Sequence, residues 1–162
     1  MEEIRVIYED PQFVAVHKPA GVLVHATQLK TKTLRLKTEE KTLVDWAVQR
    51  YPEIKNVGDE LIMRPGIVHL LDRNTSGVIV VARTQEFFEY LKKQFQAHKV
   101  TKTYVALVYG RVAARTGVID APISLKTGSL KRTVRGGAMT KEAVTEYKVK
   151  EYLTRCETRE SM

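Results

Sequence analysis

The chain has 162 residues, with 43% hydrophobic and 28% charged side chains, the composition of an ordinary globular protein. A fold of this size buries roughly 70% of the surface its unfolded chain exposes, enough for a core without staples. A spanning helix needs about 18 uncharged apolar residues in a row, which are not found here, and the single cysteine, Cys156, excludes an internal disulfide. The early acids of Met1–Phe13 do not fit a secretory signal. A cytoplasmic protein without cofactor or structural metal is expected.

Charge is unevenly spread. There are 27 Lys and Arg against 19 Asp and Glu, a net +8. Residues 1–60 carry a net −1 and the rest +9. Five basic residues (Lys126, Lys131, Arg132, Arg135 and Lys141) and no acid lie between Ala121 and Lys141. Such a stretch suits a polyanion, of which nucleic acid is the commonest. It suits a solvated loop equally well.

In chain order, Ile4–Tyr8 reads as a short strand, Asp10–Gln12 as a turn and Phe13–His17 as a second strand. Lys18-Pro19-Ala20-Gly21 follows as a tight turn, with proline presetting φ and glycine closing it. Val22–Val24 reads as a further strand and the polar residues 28–40 as an exposed loop. Thr42 is placed to cap a helix, in which Leu43, Trp46, Ala47 and Arg50/Tyr51 keep helical spacing until Pro52 ends it. A loop over Glu53–Pro65 leads on towards Gly77–Ala82, a β-branched run expected to be a buried central strand. Thr84 can cap the next helix, whose apolar face is Phe87/Phe88, Leu91 and Phe95. Tyr104–Tyr109 alternates cleanly and reads as a strand. So does Ala143–Tyr152, with Ala143, Thr145, Tyr147 and Val149 on one side and mostly charged residues on the other, so that one face meets water. The order predicts an α+β fold on a mixed, mainly antiparallel sheet with flanking helices.

The densest candidate for chemistry is Arg64–Gly77, between a loop and the β-branched run. Asp72 follows an apolar stretch and precedes a polar turn. A carboxylate there is either partly desolvated and reactive or a local cap of an Asx turn. From the residues alone both readings stand. Other chemistries fit less well. Ser76 lacks the G-x-S-x-G elbow of a hydrolase. His17, His25, His69 and His98 lack metal-ligand spacing. No phosphate-cradling glycine loop is present.

The string His69-Leu70-Leu71-Asp72-Arg73-Asn74-Thr75-Ser76-Gly77 resembles the signature of the RluA-type pseudouridine synthases, approximately H-R-L-D-x-x-T-S-G. Three further segments resemble that family in order. They are Val16–His25, which contains Lys18-Pro19-Ala20-Gly21, then Lys102–Val108, then Thr140–Tyr147. The resemblance implies one pseudouridine synthase-like catalytic domain over 1–162, without an S4-type domain. It also implies a reaction that turns uridine in ribosomal or transfer RNA into its C-glycoside isomer after base flipping, without cofactor or metal. Asp72 is then the nucleophile, and Tyr104 stacks on the uracil and helps remove the C5 proton. His69, Leu70 and Thr75 fall within the matched signature and are expected at the RNA. Arg64, Arg73, Lys102, Lys131, Arg132 and Arg135 are expected phosphate contacts.

Two departures are visible. Leu70 stands where the family has an arginine. Leucine can act as an apolar wedge but cannot neutralise charge. The family's C-terminal strands, and the basic residue that pairs with the nucleophile, have no counterpart before Met162. The reading is therefore of a C-terminally shortened domain with an open sheet edge prone to self-association. A catalytically impaired RNA-binding module and an incomplete fold are the alternatives.

Overall fold

A computed structural model of the chain describes residues 3–26, 40–125, 132–134 and 136–153. The expected exposed loop, apart from Glu40, Lys126 of the basic run and the expected contacts Lys131 and Arg135 lie outside these residues. The chain divides into two compact units, Met1–Thr103 and Tyr104–Met162.

The first unit is built on three antiparallel strands, β1 (Arg5–Glu9), β2 (Phe13–Lys18) and β3 (Gly77–Ala82), in the order β1-β2-β3. The β1–β2 turn is held by Asp10, whose carboxylate accepts from Gln12 N at 2.8 Å. β2 alternates strictly. Val14, Val16 and Lys18 point to the buried face and Phe13, Ala15 and His17 to the other. α1 (Leu43–Arg50) packs its Leu43, Val44 and Ala47 on the buried face, with Tyr51, Ile54, Ile67, Ile79 and Val81 completing the core. α1 starts at Thr42 because a full capping box is present. The Thr42 hydroxyl accepts from Asp45 N, and the Asp45 carboxylate accepts from Thr42 N at 3.0 Å. α2 (Gln85–Gln96) starts at Thr84, whose side chain accepts from Phe87 N. Its Phe88 packs with Ala82 and Val57 in a second, smaller cluster.

Three expectations for this unit are corrected. Val22–Val24 is not a strand. The Leu23 and Val24 carbonyls instead accept from Leu43 N and Val44 N at 2.9 Å each, the first-turn donors that a helix leaves free. β3 is not the central strand, since β2 is. The other edge of β3 meets only the Ile67–Val81 bridge, the bond from Ala82 N to Gly66 O and a side chain of the next subsection. The Glu53–Pro65 loop begins inside a 3-10 helix, Pro52–Asn56, where proline fits the first turn.

The second unit contains β4 (Thr116–Asp120) paired with β8 (Val144–Lys148), and a separate sheet of β5 (Ile123–Leu125) between β6 (Arg132–Thr133) and β7 (Ala138–Lys141). β8 lies within the expected Ala143–Tyr152 strand, but its alternation is kept only at Tyr147, half-buried between exposed Glu146 and Lys148, while Thr145 is exposed. Tyr104–Tyr109 is not a strand, and every one of its residues is exposed. Its alternation has no covering layer to pack against, and a strand forms only where its hydrogen bonds and one face find partners. The class is α+β, and every pairing among the described residues is antiparallel.

Candidate active site

Residues 69–73 leave the edge of β3 in an alternating manner. His69 is half-buried, Leu70 is 48% exposed, Leu71 packs against the main core, and Asp72 and Arg73 are exposed. Leu71 thus anchors a turn that presents its neighbours outward. The turn itself is closed by main chain, with Thr75 N donating to Asp72 O at 3.0 Å. The Asx-cap alternative is therefore not realised, and the expected partial desolvation is not either, since Asp72 is exposed. Among the described residues, no hydrogen bond or ion pair engages the Asp72 carboxylate.

The turn is pinned from below by the Lys18–Gly21 segment. Gly21 N donates to Arg73 O at 2.8 Å, and Arg73 Nε donates back to Gly21 O at 3.1 Å. Gly21 holds φ +89°, a region open to glycine, as the tight turn requires. Lys18 is wholly buried. Its Nζ donates to Pro19 O at 3.0 Å, Val22 O at 2.8 Å and Arg73 O at 3.1 Å. An ammonium has three donors, and all three are used. Burial lowers the Lys18 pKa below its ordinary 10.5, and the Asp72 carboxylate opposes that shift. A buried cation therefore lies under the candidate nucleophile. Sequence reading placed this lysine in a turn. The signal that could have found it is the phase of β2, which sets Lys18 on the same face as Val14 and Val16.

The His69 ring stacks on Phe95 of α2, with centroids 4.9 Å apart and planes 18° apart, and its Nε2 accepts from Val80 N at 3.1 Å. Burial first, and then the charge of Lys102, hold its pKa below 6.5. Arg64 is taken up by Glu60 at 2.6 Å, and Arg73 reaches Glu40 at 3.1 Å across an exposed contact, which holds it only weakly. Thr75 contributes its main chain to the turn. The structure therefore brings together Lys18, Gly21, Asp72, Arg73 and Glu40, and brings His69 under the field of Lys102. Tyr104, 60% exposed, and Arg132 belong to the second unit. Among the described residues no His, Cys, Asp and Glu side chains are grouped as metal ligands, and no helix is long and apolar enough to cross a membrane.

The Asp72 carboxylate thus stands outward on a closed turn whose Arg73 carbonyl accepts from a buried lysine. Residues 12–161 match the family model described as RNA pseudouridylate synthase, and the chain belongs to that family. It is 36% identical over 149 residues to ribosomal large subunit pseudouridine synthase D of Pseudomonas aeruginosa, covering 92% of this chain and 42% of that protein. It is 32% identical over 146 residues to tRNA pseudouridine synthase C of Haemophilus ducreyi, covering 90% of this chain and 53% of that one. The chain thus spans about half, or less, of the length of these relatives. In fold it is similar to the solved human RNA pseudouridylate synthase domain containing 1, with a TM-score of 0.65 at 22% identity over 90% of this chain and 51% of that one.

Proposed function

We propose that the chain carries the nucleophile-bearing part of an RNA pseudouridine synthase acting on ribosomal or transfer RNA. The observation that carries this reading is the Asp72 carboxylate, free of hydrogen bonds among the described residues and held over Lys18 by Arg73 O. Family membership gives the reaction class. The target uridine is turned out of its stack. Asp72 attacks the uracil ring or the sugar C1′, the glycosidic C–N bond breaks, the base rotates and bonds to C1′ through C5, and the bond to Asp72 is broken again, which frees the carboxylate while N1 takes up a proton. The C5 proton then leaves to a base. Tyr104 is the residue we assign to stacking on the uracil and to that proton transfer.

Lys18 supplies a buried cation whose ammonium feels the charge of Asp72. Arg64, Arg73, Lys102 and Arg132 supply phosphate contacts in this reading, with Lys131 and Arg135 beyond the described residues. Leu70, exposed beside Asp72, is the apolar wedge. The cytoplasm, where these RNAs reside, is the compartment implied.

The test is tritium release from RNA carrying 5-tritiated uridine. Asp72→Asn is expected to lower release by more than about a thousandfold, the scale of removing a nucleophile. RNA binding and its steep salt dependence should be kept. Binding without release by the parent chain would favour an RNA-binding module and sink the catalytic reading.

A further inference from the structure

The edge of β3 that faces away from β2 carries its hydrogen bonds in an unusual way. Ala82 N donates to a main-chain carbonyl, Gly66 O, at 2.9 Å. Two residues back along the same edge, Val80 N donates to an imidazole nitrogen, His69 Nε2, at 3.1 Å. Between these two bonds the chain runs beside β3 and bridges it at Ile67–Val81. After His69 it does not continue as a strand. A ring nitrogen has satisfied the next donor in the ladder, so no further carbonyl is needed there.

We infer that His69, in its neutral form, is the positioning residue of the Asp72 turn, ending the β3 ladder with its side chain so that residues 70–73 are released from the sheet towards Lys18 and Gly21. The inference rests on the proposed function for its catalytic consequence, though not for its structural content. Two contacts fix the ring. Val80 N sets the position of Nε2 and Phe95 stacks on its face, while Leu71, two residues on, packs against the core.

The chemistry demands one protonation state. Nε2 accepts only if it bears no proton, so the neutral ring carries its proton on Nδ1. A second proton would place an N–H against the Val80 N–H. The surroundings set the direction of titration. β3 offers no ionisable residue, and α2 offers Phe95. Lys92, one turn before Phe95, is engaged by Asp59 at 2.8 Å, and Arg64 by Glu60 at 2.6 Å. The charge that acts on the ring is that of Lys102, and it adds to burial in disfavouring the cation. The folded chain therefore binds this proton less readily than the unfolded chain. The contribution to stability is complete above pH about 6.5 and is lost as pH falls through the lowered folded value.

Two measurements on the full chain test this. The first, long-range 15N–1H NMR, needs no activity. His69 should show a protonated Nδ1 and an acceptor Nε2, with a midpoint below 6.5, and the amides of Val80 and residues 70–73 should move with that same midpoint. A proton on Nε2, or amides of 70–73 that stay still through the midpoint, would overturn the assignment.

The second is the pH profile of tritium release for the parent and His69→Gln, whose Oε1 can accept from Val80 N without titrating. In each pH unit below the midpoint read by NMR, the parent's kcat should fall about tenfold further than the variant's, with KM for RNA changed far less. His69→Phe keeps the stack but not the acceptor, and should be slow at every pH. Superimposable acid limbs for parent and Gln variant would overturn the proposal. A parent that releases no tritium at any pH counts against the proposed function instead, and the NMR result then decides the role of His69 alone.

Discussion

The two units of this chain both contain antiparallel strands and alternating apolar runs, and they end differently. In the first unit the buried face of β2 and β3 is covered by α1, and Val14, Val16, Ile79 and Val81 are completely shielded. In the second, among the described residues, the one buried side chain is Ser124, bonded through its hydroxyl to Thr140 at 2.9 Å. Val105 and Leu107 are 77% and 84% exposed. Alternation gives a strand two different faces, but it does not supply the layer that one face must bury against. Where α1 supplies that layer the run becomes a core strand, and at 104–109 the same pattern stays extended in solvent.

The largest expected effect lies at the centre of the covered face. Ile79 is fully shielded in the main cluster, opposite Val16 across the β2–β3 ladder. Ile79→Ala removes buried methyls and leaves a cavity, which costs roughly 2–5 kcal/mol. Trp46, the only tryptophan, packs against this cluster, so its fluorescence in a denaturant titration reports this unit selectively. A midpoint unchanged from the parent would show that the α1 layer does not hold the sheet.

A smaller loss is expected at Lys18, where the covered face meets the candidate site. Lys18→Met keeps the length and apolar body of the side chain and removes three donors. The carbonyls of Pro19, Val22 and Arg73 lose one bond each. Arg73 O retains Gly21 N. The cost is roughly 1–3 kcal/mol by the same Trp46 titration. The turn bearing Asp72 should also loosen, lowering tritium release more than RNA affinity. An Asp72 turn unmoved in its amide shifts by Lys18→Met would show that Gly21 alone pins it.

These residues also mark what was legible in the sequence. Signals within a few residues of one another were readable. The Thr42 and Thr84 caps, the β1–β2 turn at Asp10 and the strand β2 are local and appear where expected. The position of Asp72 is read from a motif, and its exposure on a closed turn is visible only in the structure. What was not readable depends on distant partners. Val22–Val24 is apolar enough for a strand, yet its carbonyls serve the start of α1, some twenty residues on. Lys18 reads as part of a Pro-Gly turn until Arg73, 55 residues away, accepts from it. His69 reads as one residue of a signature, and its bond to Val80 appears only once the chain has folded back. β5, β6 and β7, of three, two and four residues, are too short to carry a period.

The smallest effect is the sharpest test of the comparison. Leu107 sits in the segment whose pattern asks for a buried face and which shows none. An exposed leucine has little to lose, so Leu107→Ser should change stability by less than about 0.5 kcal/mol, one-quarter or less of the Ile79→Ala loss. Because Trp46 reports the first unit, far-UV circular dichroism should follow this variant alongside it. A loss above about 1 kcal/mol would mean that Leu107 is covered in solution, since an apolar side chain costs that much only when it leaves a packed environment. The two units would then differ in what covers them rather than in whether they are covered. Repeating the titration at several chain concentrations would separate a covering copy from an internal one, because only the former makes the midpoint depend on concentration.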